Sequence, residues 1–90
     1  MNHTTPLTRL SDLPVDVMED VWRLVSDVRG ALESEVRPDG FNVGVNDGEA
    51  AGQTVPHAHV HVIPRFSGDV PDPRGGLRWV LPDRAQYWEE

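Results

Sequence analysis

Hydrophobic residues between positions 15 and 36 recur every three or four residues, which is the spacing of an amphipathic helix. The residues of this stripe are Val15, Met18, Val21, Trp22, Val25, Val28, Leu32 and Val36. Ser11 and Asp12 are candidates for the N-terminal cap, and Pro14 suits the first turn. The turn sequence at 38–40 ends the segment. We therefore predict one long helix over residues 14–36, in which Gly30 favours a close contact with the sheet.

After residue 40 the hydrophobic pattern changes to a period of two, which is typical of a β-strand. Phe41, Val43 and Val45 alternate with polar or small residues and form the first predicted strand. A glycine-bearing connection leads to a second predicted strand over residues 56–63, near enough along the chain to pair antiparallel with the first. This combination predicts an α+β fold, in which the long helix packs on a small antiparallel sheet.

The remainder of the chain contains a further predicted strand and a short helix. Residues 77–81 form an apolar run that we interpret as a strand. Pro82 is expected to begin a last helical turn that carries Tyr87 and Trp88. Because the chain has 90 residues, we expect a single domain over 1–90 with a thin core.

Charge and composition narrow the classes of partner. Fifteen acidic residues against eight basic ones give a net charge of −7 with histidine neutral, which argues against nucleic acid or an anionic membrane as the main partner. The chain has no cysteine, which excludes disulfides and thiolate metal sites. Because neither an apolar spanning run nor a signal sequence is recognisable, we expect a cytoplasmic protein.

The segment 57–63, with the sequence HAHVHVI, is the strongest chemical signal in the chain. On a strand, His57, His59 and His61 would share one face, about 6.6–7 Å apart from one to the next. The apolar residues between them would face the helix. A polar face without function more usually carries Thr, Lys, Glu or Ser. An ordinary solvent face is thus the weaker interpretation, although the spacing alone leaves it open.

Two chemical interpretations of the histidines remain open on the residues alone. Neutral imidazole is a common metal ligand, but the pattern fixes no further ligand. Alternatively, one histidine is a nucleophile and its neighbours handle protons and phosphate charge. The small polar loop 51–54 favours the second interpretation, because its backbone N–H groups could face an anion. Phosphoryl or nucleotidyl transfer needs this kind of positioning and charge stabilisation.

The histidine segment resembles the His-φ-His-φ-His-φ-φ signature of the histidine triad (HIT) proteins, where φ is apolar. Residues 41–56 resemble the strand and phosphate loop that precede this signature in bacterial HIT hydrolases. Residues 64–65 and 72–80 look like the tail of the branch related to diadenosine polyphosphate hydrolases. The resemblance covers residues 41–88 and is much weaker over the helix.

The resemblance implies a role for each matching residue. His59 corresponds to the nucleophile that attacks an α-phosphate and forms a nucleotidyl-histidine intermediate. His61 corresponds to the member that contacts the phosphate and helps the leaving group, and His57 to the member that supports the nucleophile. The expected phosphate and nucleotide contacts are Asn46, Gly52, Gln53 and Thr54. The implied substrate is a dinucleoside polyphosphate or a nucleoside phosphoramidate, with no metal or other cofactor required, although a divalent cation can accompany the substrate.

The beginning of the chain departs from the family pattern. HIT domains carry strands and a short helix before the long helix, and they are commonly homodimers. We therefore expect an N-terminally short domain that lacks those strands and is completed by a second copy or by a separate chain. The alternatives to an active enzyme are a non-catalytic nucleotide- or metal-binding remnant and a fragment that needs a partner. The role of His3, near the start of the chain, is left open.

Overall fold

The computed structural model describes residues 8–89 and has an α+β architecture. Helix α1 spans Val15–Val36, strand β1 spans Gly40–Val45, strand β2 spans Val60–Arg65 and helix α2 spans Pro82–Ala85. Three short 3₁₀ helices, at Leu10–Asp12, Glu49–Ala51 and Gly76–Val80, lie in the connections. The predicted fold class is therefore confirmed. Across residues 8–89 we found no helix long and apolar enough to cross a membrane.

Helix α1 follows the predicted period, but its beginning differs from the prediction. Pro14 occupies the N-cap position and no side chain caps the helix. The Asp12 carboxylate instead accepts the backbone N–H of Arg9 at 2.8 Å, so it stabilises the preceding 3₁₀ turn. The prediction that Ser11 or Asp12 caps α1 is therefore wrong. The helix ends at Val36, and the next residue, Arg37, has a left-handed backbone and donates its N–H to the carbonyl of Glu33.

Strands β1 and β2 form a two-stranded antiparallel sheet, as predicted. The register pairs Gly40 with Arg65 at one end and Val45 with Val60 at the other. Residues before Val60 have no partner on β1, because β1 already ends at Val45. The predicted strand over 56–63 is therefore wrong at its beginning, and only His61 of the three histidines lies within β2.

Helix α1 packs on β2 and leaves much of its own apolar surface exposed. Val60 and Val62 are half-buried, whereas Trp22 on α1 remains 42% exposed. A β-carbon added at Gly30 would meet no atom within 4 Å, so the predicted close contact of Gly30 with the sheet is wrong. Within residues 8–89 the only fully buried apolar side chain is that of Ala85. The core is thin, as a chain of this size predicts.

The predicted strand at 77–81 is wrong, because this segment lies mainly in the 3₁₀ helix Gly76–Val80. Its hydrogen bonds are local: the N–H of Arg78 donates to the carbonyl of Gly75, and the N–H of Leu81 donates to that of Arg78. The last helix begins at Pro82, as predicted, but it ends at Ala85, before Tyr87 and Trp88. The C-terminal segment therefore folds back on itself instead of extending the sheet.

Candidate active site

The three histidines lie where the chain enters β2, and all three side chains are exposed. The ring centroids of His59 and His61 are 4.7 Å apart, with the planes at 83°, so the two imidazoles meet edge to face. The predicted nucleophile therefore lies against the third histidine.

A main-chain contact sets the orientation of the His59 ring. Nδ1 of His59 lies 3.1 Å from the carbonyl oxygen of His57. A carbonyl oxygen can only accept a hydrogen bond, so Nδ1 carries the proton in this contact. In the neutral ring the lone pair then belongs to Nε2. His57 makes this contact through its backbone and not through its imidazole.

The loop between the strands is fixed by the side chain of Gln53, which is only 2% exposed. Its Oε1 accepts the backbone N–H of Gly48 at 2.8 Å. Its Nε2 donates to the carbonyls of Thr8 at 2.8 Å and Val55 at 3.2 Å. The backbone N–H of Gln53 donates to the carbonyl of Gly48 as well. The Gln53 amide therefore bonds backbone groups of the loop and of Thr8, and in this position it supports the loop.

A cleft of about 820 Å³ opens beside this loop and gathers three of the predicted site residues: Asn46, Gly52 and His61. The residues that line the cleft do not include His57, His59, Gln53 or Thr54. The His59 ring contacts His61, which does line the cleft, whereas Thr54 is exposed and follows the buried Gln53.

Large apolar side chains also line the cleft, a feature that the sequence analysis missed. We call four of them, Ile63, Leu77, Val80 and Leu81, the apolar wall. The signal was present in the sequence as the apolar run at 77–81. A strand over 77–81 would have placed alternate side chains on opposite faces of the sheet. The strand interpretation therefore did not assign this run to the site.

The far end of β2 carries an ion pair instead of imidazoles. Arg65 binds the two carboxylate oxygens of Asp69, with both N–O distances at 2.7 Å, and also donates to the side chain of Asn42. The hydrogen bonds from Arg65 and from the backbone N–H of Phe66 lower the pKa of Asp69 to about 2. This pair holds the turn that follows β2 and is separate from the cleft.

A metal centre was one of the two chemical interpretations of the histidines. Over residues 8–89 no group of three histidine, aspartate or glutamate side chains is arranged to hold a metal ion. His3 lies outside the described residues. What the structure brings together is a pair of imidazoles, a polar loop and an apolar wall.

Comparison with known sequences places this arrangement among characterised proteins. The model of the HIT domain family matches residues 2–68. The chain is 39% identical over 61 residues to the bifunctional bis(5'-adenosyl)-triphosphatase/adenylylsulfatase FHIT of Arabidopsis thaliana. The aligned region makes up 68% of this chain and 34% of that protein. The chain is 43% identical, with the same coverages, to the asymmetrical bis(5'-nucleosyl)-tetraphosphatase of Schizosaccharomyces pombe. The chain thus spans about a third of the length of these relatives, both eukaryotic, and the bacterial branch stays a prediction.

The fold comparison agrees with the sequence comparison. The crystal structure of the C. elegans NitFhit protein superposes with a TM-score of 0.67 at 37% identity, over 74% of this chain and 16% of that one. The matched family segment includes the strands, the loop and the three histidines. The chain therefore belongs to the HIT domain family.

Proposed function

We propose that this chain hydrolyses dinucleoside polyphosphates by attack of His59 on an α-phosphate. The printed names of two relatives, a bis(5'-adenosyl)-triphosphatase and a bis(5'-nucleosyl)-tetraphosphatase, support this class of substrate. The cleft supports it as well, because His61, Asn46 and Gly52 line a space large enough for a nucleotide.

The contact between Nδ1 of His59 and the carbonyl of His57 is the observation that carries the proposal. A nucleophilic imidazole needs an unprotonated nitrogen directed at phosphorus. The carbonyl holds the proton on Nδ1 and so leaves the lone pair on Nε2. When Nε2 forms a bond to phosphorus, positive charge develops on the ring, and the same carbonyl stabilises it through a stronger hydrogen bond.

The reaction then has two balanced steps. In the first, Nε2 of His59 forms a bond to the α-phosphorus, and the bond from that phosphorus to the bridging oxygen breaks. The leaving nucleotide takes the electron pair of that bond, and His61 gives it a proton. In the second, water attacks the same phosphorus and returns a proton to His61, the N–P bond breaks with its electron pair going back to Nε2 of His59, and a nucleoside monophosphate leaves. Asn46 and the backbone at Gly52 are proposed to contact the phosphate oxygens, since both line the cleft beside His61.

This mechanism uses no resident metal, and a divalent cation enters, if at all, with the substrate. The Gln53 amide acts by holding the loop, and Thr54 is proposed to contact the nucleotide from outside the cleft. The expectations of a homodimer and of a cytoplasmic location stay predictions. A groove of about 540 Å³ on α1, lined by Val15, Met18 and Trp22 among others, is compatible with a second copy.

The test is incubation of the full chain with bis(5'-adenosyl) triphosphate and separation of the products. We expect AMP and ADP from the wild type and none from His59→Ala. His59 is exposed, so the fold of the variant should be unchanged in circular dichroism. Acid-labile AMP bound to the protein after a rapid quench would identify the intermediate. Equal AMP release by both proteins would overturn the role of His59, and nucleotide binding without any release would favour a non-catalytic binding domain.

A further inference from the structure

Residues 8–10, which precede α1, lie across the loop between the two strands. The backbone N–H of Leu10 donates to Oδ1 of Asp47 at 2.7 Å, near the beginning of the loop. The backbone N–H of Thr8 donates to the carbonyl of Pro56 at 2.8 Å, where the loop meets the histidine segment. Residues 8–10 therefore bridge the two ends of the loop.

Two further contacts hold the same residues against the middle of the loop. The buried Gln53 amide donates to the carbonyl of Thr8 at 2.8 Å. The Arg9 guanidinium lies over Gly48, where an added β-carbon would be 3.1 Å from Nη2 of the arginine. Each of the three residues 8–10 thus has a contact on this side of the molecule, although 37 positions of chain separate Leu10 from its partner.

Both ends of the bridged loop lead directly into the candidate site. Asp47 follows Asn46, which lines the cleft. Pro56 precedes His57, whose carbonyl oxygen lies 3.1 Å from Nδ1 of His59. A displacement of Pro56 would therefore move the acceptor that orients the His59 ring.

Asp47 supplies the bridge with an exposed side chain of the loop itself. Its bond to Leu10 is charge-assisted, because a carboxylate accepts the N–H, and such bonds are stronger than neutral ones. The residues that line the cleft do not include Asp47. A carboxylate also opposes an anionic substrate through like-charge repulsion, which argues against a substrate contact. The hydrogen bond to Leu10 is thus the role that its chemistry fits.

We propose that Asp47 is a positioning residue: by holding residues 8–10 across the loop, it fixes the carbonyl of His57 and, through it, the ring of His59. The proposal rests on the function proposed above, in which His59 is the nucleophile. Without the Asp47 carboxylate, Leu10 loses its acceptor and the bridge keeps only its other end. The His59 ring then adopts both neutral tautomers, and a ring protonated on Nε2 has no lone pair there for attack.

Three variants separate positioning from a general loss of a hydrogen bond. Asp47→Ala removes the acceptor, whereas Asp47→Asn keeps an oxygen that can accept the N–H of Leu10. The control is Asp39→Ala, because the exposed Asp39 carboxylate accepts the backbone N–H of Ser67 at 2.8 Å. That contact lies at the opposite end of the strand pair, next to the pairing of Gly40 with Arg65. The two alanine variants therefore remove the same kind of bond at opposite ends of the sheet.

Steady-state kinetics with bis(5'-adenosyl) triphosphate measures the effect on turnover. We expect Asp47→Ala to lower kcat about tenfold and to change KM by less than about twofold, since Asp47 orients the nucleophile without contacting the substrate. Asp47→Asn and Asp39→Ala should keep kcat within about threefold of the wild type. Wild-type kcat in Asp47→Ala, or a loss of the same size in Asp47→Asn or Asp39→Ala, would overturn the proposal.

The nitrogen NMR signals of the imidazoles test positioning without turnover. At about pH 8, where imidazole is mostly neutral, they show which ring nitrogen carries the proton. We expect the Nδ1–H form of His59 in the wild type, Asp47→Asn and Asp39→Ala, and a mixture of both tautomers in Asp47→Ala. A single Nδ1–H form in Asp47→Ala, or an Nε2–H form in the wild type, would overturn the proposal.

These measurements keep the inference distinct from the function on which it rests. If the wild type releases no AMP but the tautomers of His59 differ as expected, positioning is supported and hydrolysis is overturned. If the wild type hydrolyses the substrate and Asp47→Ala matches it in kcat and tautomer, hydrolysis is supported and positioning is overturned. If circular dichroism shows that Asp47→Ala is unfolded while Asp39→Ala is folded, Asp47 acts on stability and positioning is overturned.

Discussion

The loop over 46–55 and the histidine segment over 56–61 border the same site but are held in opposite ways. A single buried side chain, Gln53, holds the loop through three hydrogen bonds, two within the loop and one to Thr8. The histidines are exposed: the ring of His59 contacts the carbonyl of His57 and the ring of His61. The loop is therefore a structural unit that carries candidate phosphate contacts, whereas the histidine segment is a chemical unit supported by the end of β2.

We therefore expect the loop over 46–55 to affect mainly stability and the histidine segment over 56–61 to affect mainly catalysis. Removing an exposed imidazole eliminates no buried packing and leaves no buried polar group without a partner. Removing the buried Gln53 amide does leave a buried polar group, the N–H of Gly48, without its partner. Substitutions in the two segments should therefore affect different measurements, and the following predictions test that division from the largest expected effect to the smallest.

His57 and His59, two of the three exposed histidines, should differ sharply in their effect on turnover. We expect His59→Ala to lower kcat by more than about 1,000-fold, because the nucleophile is lost. We expect His57→Ala to lower it by only about tenfold, since the carbonyl that orients His59 belongs to the backbone and survives the substitution. Steady-state kinetics with bis(5'-adenosyl) triphosphate checks both. Equal losses would mean that the His57 imidazole itself takes part in the reaction.

The buried amide should affect stability more than any histidine does. Gln53→Ala removes three hydrogen bonds and leaves the buried N–H of Gly48 without its acceptor, so we expect a loss of about 2–4 kcal/mol in the free energy of unfolding. Urea unfolding measures it. Gln86→Ala, at an exposed amide with one hydrogen bond to the carbonyl of Trp88, is the control and should change stability by less than about 0.5 kcal/mol. A Gln53 variant as stable as the control would show that the loop holds itself.

Two glycines should respond to alanine with opposite signs. Gly48, in the loop, has φ +100° and ψ 161°, a region that other residues avoid, and a β-carbon there would lie 3.1 Å from the Arg9 guanidinium. We expect Gly48→Ala to destabilise the fold by about 1–3 kcal/mol. Gly30, exposed within α1, should gain about 0.5–1 kcal/mol as alanine. Thermal unfolding of the pair checks both, and a stabilised Gly48 variant would show that the loop relaxes freely.

The ion pair at the far end of β2 should give a small, pH-dependent effect on stability alone. The pKa of Asp69 is lowered from 3.8 to about 2, so its ionised form stabilises the fold above about pH 4, and this contribution is lost as the pH falls toward 2. We expect Asp69→Asn to be less stable than the wild type at pH 7, with the difference shrinking as the pH falls toward 2. Asp27→Asn on α1 serves as the control. A difference between wild type and Asp69→Asn that is as large at pH 2 as at pH 7 would contradict the assignment.

The sequence predicted the elements that local signals determine. Its predictions failed where contacts between distant segments determine the bounds of an element. The period of three to four residues identified α1, because helical hydrogen bonds lie within the segment. The beginning of β2 was wrong because the end of β1 at Val45 decides it, and no feature of 56–59 reveals that. The histidine spacing predicted the candidate site through its chemistry. It could not reveal that Gln53 faces inward, because the amide of a glutamine suits a loop and a phosphate equally well.

The hydrogen bond from Gln53 to the carbonyl of Thr8 joins residues 45 positions apart. Closing so long a segment costs conformational entropy before any hydrogen bond is gained, so a contact of this kind forms late in folding. The strand pair and α1 can assemble from nearer contacts first. We expect the hydrogen bonds of the Gln53 amide to form after the transition state of folding, so that their loss accelerates unfolding and leaves the rate of folding nearly unchanged. The lifetime of the assembled site, and not the speed of its assembly, would then depend on Gln53.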